Sequence, residues 1–222
     1  MSSTQLFRVS GMSLLLGTLV GLIDALLSFF VNTSFTAPPA TFQSPLWPTY
    51  YSLSFATIAL TLIGLPALYF RLRGQRGDRL GFFGLLFILV GTFLVLGMAG
   101  YFVSVLPVVA SKAPQVLTAT FESDFDIFPL GGSLFLTIGT ILLGIAVLRA
   151  KVFPSLVGYL LLASAVLTLL SPLFQSGLLS TLLPLLRIIT WAAAYGWIGM
   201  ILVQQAGVSG EAAAYQPQTA LR

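Results

Sequence analysis

The chain has 222 residues, 57% of them hydrophobic and only 7% charged, with a net charge of +4 and a mean hydropathy of +1.01. Soluble domains carry about 25% charged residues, and sixteen charged side chains cannot solvate a globule of this size, which excludes a water-soluble fold. The absence of cysteine and histidine also removes disulfides, thiolate nucleophiles, Fe–S clusters, imidazole bases, His-ligated haem and ordinary zinc sites.

A hydrocarbon core needs about 20 apolar residues per helix. The first such run, Gly11–Val31, follows Arg8. It is longer than the roughly 7–15 residues of a secretory signal and contains Asp24, so it reads as a retained signal-anchor helix. Asn32–Tyr50 is neutral and Pro-rich, and Trp47, Tyr50 and Tyr51 suit headgroup anchors. The second run is Tyr51–Phe70, followed by the basic turn Arg71–Arg79. The third, Leu80–Leu106, exceeds what a span requires and is expected to tilt or project. In the segment after it, Pro114 suits the first turn of a short interfacial helix over residues 114–122. Glu122, Asp124 and Asp126 then form an acidic patch that lacks calcium-loop spacing and reads as solvated surface. Three further runs complete the set: Pro129–Leu148, Phe153–Phe174 after the link Arg149–Val152, and Leu182–Gln204. The expected fold is an all-α integral membrane protein, with residues 1–204 as one six-helix transmembrane domain. Residues 205–222 read as a disordered cytoplasmic tail.

The runs are apolar all round, as lipid-embedded helices are. They lack the period-two alternation of a membrane barrel. A cytoplasmic N-terminus places eight basic residues inside (Arg8, Arg71, Arg73, Arg76, Arg79, Arg149, Lys151 and Arg222) against Lys112 outside. The positive-inside rule then puts both termini in the cytoplasm, in a bacterial inner membrane.

A constant offset of 80 relates Thr57-Ile58, Gly64-Leu65 and Leu68 to Thr137-Ile138, Gly144-Ile145 and Leu148. Either a parallel duplication or shared Leu/Gly composition accounts for it. Leu142-Leu143-Gly144, Leu148-Arg149, Pro154 and Gly158-Tyr159-Leu160-Leu161 resemble a pattern found in six-helix bacterial membrane proteins with no assigned chemistry. That resemblance implies the helix count and nothing functional.

Two ionisable residues lie well inside the spans, Asp24 and Arg187. Burying either alone costs at least about 2.5–3.5 kcal/mol, so each is expected to face the protein and find a partner. Both lie roughly 8–11 Å below the outer boundary at 1.5 Å per residue, which permits an ion pair if the first and sixth helices touch. Gly17, Gly21, Asp24 and Ser28 share one stripe of the first span. Arg187, Trp191, Tyr195 and Gly199 share one of the sixth. Two readings stand. One is a structural ion pair with an aromatic core. The other is a ligand cavity lined by Gly21, Ser28, Trp191 and Tyr195, with Arg187 holding an anionic head and Asp24 as counter-ion or proton acceptor. An Arg187 below the Trp191 face could instead make a cation–π contact with it. The turn carrying Arg71, Arg73, Arg76 and Arg79 is a candidate contact for anionic lipid or a cytoplasmic partner, or plain topogenic charge.

No residue set supports catalysis: there is no histidine for a Ser–His pair. Nor is there a lysine within a span for Schiff-base retinal, and clustered carboxylates for metal chemistry are lacking. The expected function is a non-catalytic accessory or scaffolding subunit of a membrane complex. It would touch lipid, pigment or quinone and partner subunits, and not nucleic acid. The alternative is a small transporter or ligand-binding membrane protein built around Asp24 and Arg187.

Overall fold

The structure is a computed structural model describing residues 3–31, 39–116, 127–174 and 176–214. Its elements are α1 (Ser3–Leu27), α2 (Pro39–Phe42), α3 (Leu46–Leu72), α4 (Asp78–Ser104), α5 (Leu106–Lys112), α6 (Ile127–Ala150), α7 (Ser155–Leu170) and α8 (Leu178–Ala214). A 3₁₀ turn, Ser171–Leu173, follows α7, and the described residues contain no strand. Six helices are long and apolar enough to cross a membrane, as the hydropathy runs require. The chain is an all-helical, multi-pass membrane protein.

The over-long third run resolves into two helices. α4 stops at Ser104 and α5 begins at Leu106 with Pro107 in its first turn, where a missing N–H costs nothing. The expected interfacial helix is seen in part: residues 114–116 are helical, and the rest of 114–122, with the acidic patch, lies outside the described residues. α8 runs past Gln204 through Ala214, so residues 205–214 of the expected disordered tail are helical. Ala206 and Ala212–Ala214 favour that continuation. Residues 215–222 lie outside the described residues.

In water-free surroundings helices associate through close packing rather than hydrophobic drive. Here each long helix packs on the next one in the chain, and α8 closes on α1, so the six form a ring in sequence order. Glycines make the closest crossings. A Cβ on Gly11 would lie 2.8 Å from the Gly199 carbonyl oxygen, and one on Gly199 would lie 2.9 Å from that of Gly11. Gly84 and Gly139 join α4 to α6 in the same reciprocal way, at 3.0 and 2.8 Å, and Gly144 and Gly158 join α6 to α7, at 3.2 and 3.0 Å.

The ends of the ring differ. At the end bearing Arg71–Arg79 and Arg149, Leu68, Leu72, Val147, Val157, Ile198 and Leu202 form a solid core. At the opposite end Phe42, Trp47, Phe102 and Leu106 form a smaller aromatic cluster. Trp47 is 0% exposed, with its Nε1–H donating to the Phe102 carbonyl at 2.9 Å. It therefore anchors α3 to α4 instead of sitting among headgroups. The outward faces carry Leu19, Leu26, Phe93, Leu134 and Leu169, all exposed, as a lipid-facing wall must.

Candidate functional site

Between the two packed ends the ring holds a partly open cavity of about 340 Å³, lined from α3, α4, α6, α7 and α8. Leu65 and Ile88 supply apolar wall, and Trp191 and Tyr195 supply one aromatic side, their rings 5.4 Å apart. Arg187 lies one turn before Trp191 and also lines the cavity. It is the one charged side chain among the lining residues.

The rest of the polar lining is hydroxyl. α3 contributes Thr57 and Thr61, α4 contributes Thr92, α6 contributes Ser133, Thr137 and Thr140, and α7 contributes Ser164 and Thr168. Several donate into their own helix: Thr61 to the Thr57 carbonyl at 2.8 Å, Thr137 to that of Ser133 at 2.7 Å, and Thr168 to that of Ser164 at 2.8 Å. A hydroxyl bonded this way has spent its proton and keeps lone pairs for another donor. Thr57 differs. Its Oγ1 is buried and has no hydrogen-bond partner, a state that costs about 1–3 kcal/mol and is uncommon in native proteins unless a water or ligand completes it.

Asp24 is not a lining residue. Its carboxylate accepts a hydrogen bond from Ser54 Oγ at 2.7 Å, which ties α1 to α3. Arg187 acts electrostatically on Asp24 and on Tyr50, yet no ion pair between Asp24 and Arg187 is present among the described residues. The contact expected between helices 1 and 6 exists, as α1 against α8, while the carboxylate takes a hydroxyl partner and Arg187 is among the residues that line the cavity. Gly21 lies behind the cavity wall. A Cβ there would meet the Trp191 ring at 2.8 Å and Thr57 Cγ2 at 3.0 Å, so Gly21 lets the indole seat against α1. Ser28 donates to the Ala25 carbonyl at 2.7 Å and takes no part in the lining. Arg187 makes no cation–π contact with Trp191 among the described residues.

The basic turn divides. Arg71 lays its guanidinium over the Phe153 ring, 4.5 Å from the centroid, and Arg73 caps α3 through its backbone N–H to the Tyr69 carbonyl. Arg76 and Arg79 instead share a cleft with Arg149, in the last turn of α6 on the same end.

The hydroxyl lining was the part that sequence reading missed. Its signal was present in the spacings Thr57/Thr61, Ser133/Thr137 and Ser164/Thr168, each four apart and so on one helical face. No family model matches the chain, and no curated protein or solved structure is significantly similar to it.

Proposed function

We propose that the chain is a non-catalytic binding protein of the inner membrane that holds a small amphipathic molecule in its central cavity, anionic group against Arg187 and apolar body against Trp191 and Tyr195. The observation that carries this reading is a lone guanidinium on the wall of an otherwise apolar and hydroxylated cavity. Among the described residues no carboxylate forms an ion pair with this guanidinium, and a charge kept within a span is costly enough that function is the usual reason for it. A volume of about 340 Å³ lies in the range of roughly 300–1,000 Å³ typical of small-molecule sites. Binding rather than reaction is favoured because serine and threonine hydroxyls need a base to become nucleophiles, and the lining offers neither carboxylate nor imidazole. In this reading both termini face the cytoplasm, as the basic turns require.

The test uses Trp191 as a reporter. Protein in phosphatidylcholine nanodiscs is titrated with small carboxylates bearing alkyl or aromatic tails, and native mass spectrometry of protein from its own membrane weighs whatever co-purifies. Saturable fluorescence change, weakened about tenfold or more by Arg187→Gln as expected for loss of a charge-assisted pair, is the expected result. A flat response across the series, with no small molecule retained from the native membrane, overturns the proposal.

One observation favours the accessory-subunit reading as a second. Gly97 and Gly100 on α4 have nothing within 4 Å of where a Cβ would stand, and with Ser104 they leave a small-residue face of α4 turned away from the chain. Small faces of this kind admit a partner helix closely. Co-migration with other subunits at fixed stoichiometry, abolished by Gly100→Leu, would move the weight to that reading.

A further inference from the structure

We propose that the cleft formed by Arg76, Arg79 and Arg149 is a binding site for a phosphate oxyanion, supplied by an anionic phospholipid headgroup in the leaflet that the basic end of the ring faces. This site is separate from the central cavity and does not depend on it.

Charge alone would place arginines in these segments; what makes a site of them is how the segments are locked together. Gly77 abuts the carbonyl of Ala146 with no room for a Cβ, pressing the first turn onto the end of α6. Gly74 sits at φ 76°, in the left-handed region that glycine tolerates, and its N–H donates to Asp78 Oδ2 at 3.0 Å, which closes the turn. Arg71, stacked on Phe153, ties the end of α3 to the segment after Arg149. Two contacts thus fix the first turn against the end of α6 and the link after it, and the third closes the first turn on itself. The cleft they form, about 540 Å³, gathers Arg76 from the turn, Arg79 from the start of α4 and Arg149 from the last turn of α6.

The electrostatics of the cleft favour an anion. Asp78 is the single carboxylate in the lining, and it is occupied by the Gly74 N–H. No ion pair engages Arg76, Arg79 or Arg149 among the described residues, so three guanidinium forks stand against one carboxylate. The N-terminus of α4 opens at Asp78, in the same lining, and adds the positive end of its dipole. Guanidinium forks match phosphate bidentately, which an ammonium cannot do. Arg73 and Lys151 belong to the same two segments but not to the cleft, and they therefore separate a built site from diffuse surface charge.

The experiment compares the full chain in nanodiscs of phosphatidylcholine alone and with added phosphatidic acid, reading retained lipid by native mass spectrometry. The wild type retains phosphatidic acid in preference to phosphatidylcholine. Arg76→Gln with Arg149→Gln loses that retention by about tenfold or more, since it removes charge-assisted hydrogen bonds to the phosphate. Arg73→Gln with Lys151→Gln removes the same charge from outside the cleft and lowers retention several-fold less, through surface attraction alone. Should the glutamine pair unfold, Arg76→Lys with Arg149→Lys keeps the charge and loses the fork. Several-fold weaker retention then supports the site, and unchanged retention overturns it. Saturable uptake of inorganic phosphate in phosphatidylcholine discs, abolished by the Arg76/Arg149 pair, supports the same site with a soluble source. Equal losses in the cleft and control pairs, or no preference for the anionic lipid in the wild type, overturn the proposal.

Discussion

At the scale of single residues, the contact between Asp24 and Ser54 is the most exacting in the membrane-embedded part of the chain. A carboxylate at this depth needs donors, and among the described residues the Ser54 hydroxyl reaches it, at 2.7 Å. Ser54→Ala removes that donor and is expected to lower stability by about 1–3 kcal/mol, read as a fall in the thermal unfolding midpoint in detergent. Asp24→Asn tests the same bond from the other side. A double-mutant cycle should show coupling on the order of 0.5–3 kcal/mol, because one hydrogen bond is counted in both single changes. The sequence pointed to Asp24 because charge is rare in a span, and it pointed to Arg187 as partner because their depths agreed. Depth says nothing of azimuth. Ser54 stands at a similar level on α3, and one unremarkable serine among the many hydroxyls of this chain offered no signal of its own. Trp47 was misjudged for a related reason, since an indole near a span end serves a lipid interface or a protein one, and only the positions of Phe42 and Phe102 decide between them.

Among helices, the α4–α6 crossing shows what sequence patterning conveys and what it leaves open. Run length and hydropathy placed the spans, because lipid demands a continuous apolar stretch whatever the neighbours are. The helix ends moved where polar or proline residues continued a helix beyond the hydrocarbon, as with α3 starting at Leu46 and α8 extending to Ala214. Glycine in a span is ambiguous on its own. Gly139 is held so tightly that a Cβ would come within 2.7 Å of the Ile88 backbone nitrogen and 2.8 Å of the Gly84 carbonyl, whereas Gly97 has nothing within 4 Å. Gly139→Ala should therefore destabilise the protein by about 1–3 kcal/mol, since backbone on the facing helix has to give way. Gly97→Ala should be neutral or stabilising by up to about 1 kcal/mol, through helix propensity alone. Chemical or thermal denaturation of both variants in one detergent gives the comparison, and equal effects would mean that the α4–α6 crossing is looser than its geometry.

For the whole molecule, ring closure is what creates a site. Thr57 and Thr137, which correspond under the offset of 80 in the sequence, both line the cavity, on α3 and α6. No single span looks polar, because each contributes only one to three hydroxyls, several of them bonded back into the helix. They become a polar interior only when four helices turn those faces to one centre. That arrangement depends on the order in which helices neighbour one another, which apolar runs do not encode. The stripe of Arg187, Trp191 and Tyr195 was legible because large and charged residues at a spacing of four mark a face without reference to neighbours. If the cavity is where a ligand sits, filling it should abolish binding without harming the bundle. Thr140 lines the cavity, and its hydroxyl bonds only the Leu136 carbonyl of its own helix, at 2.8 Å. Thr140→Leu adds apolar volume to the lining and leaves no buried partner unpaired across an interface. Its thermal midpoint should hold within about 1 kcal/mol of wild type, while the Trp191 response to carboxylates falls by tenfold or more. An accessory subunit would show the reverse: unchanged ligand response, or none, and assembly sensitive to Gly100→Leu rather than to Thr140→Leu. The two variants lie on different faces of the ring, one turned inward and one outward, so their effects separate a protein that works through its interior from one that works through its surface.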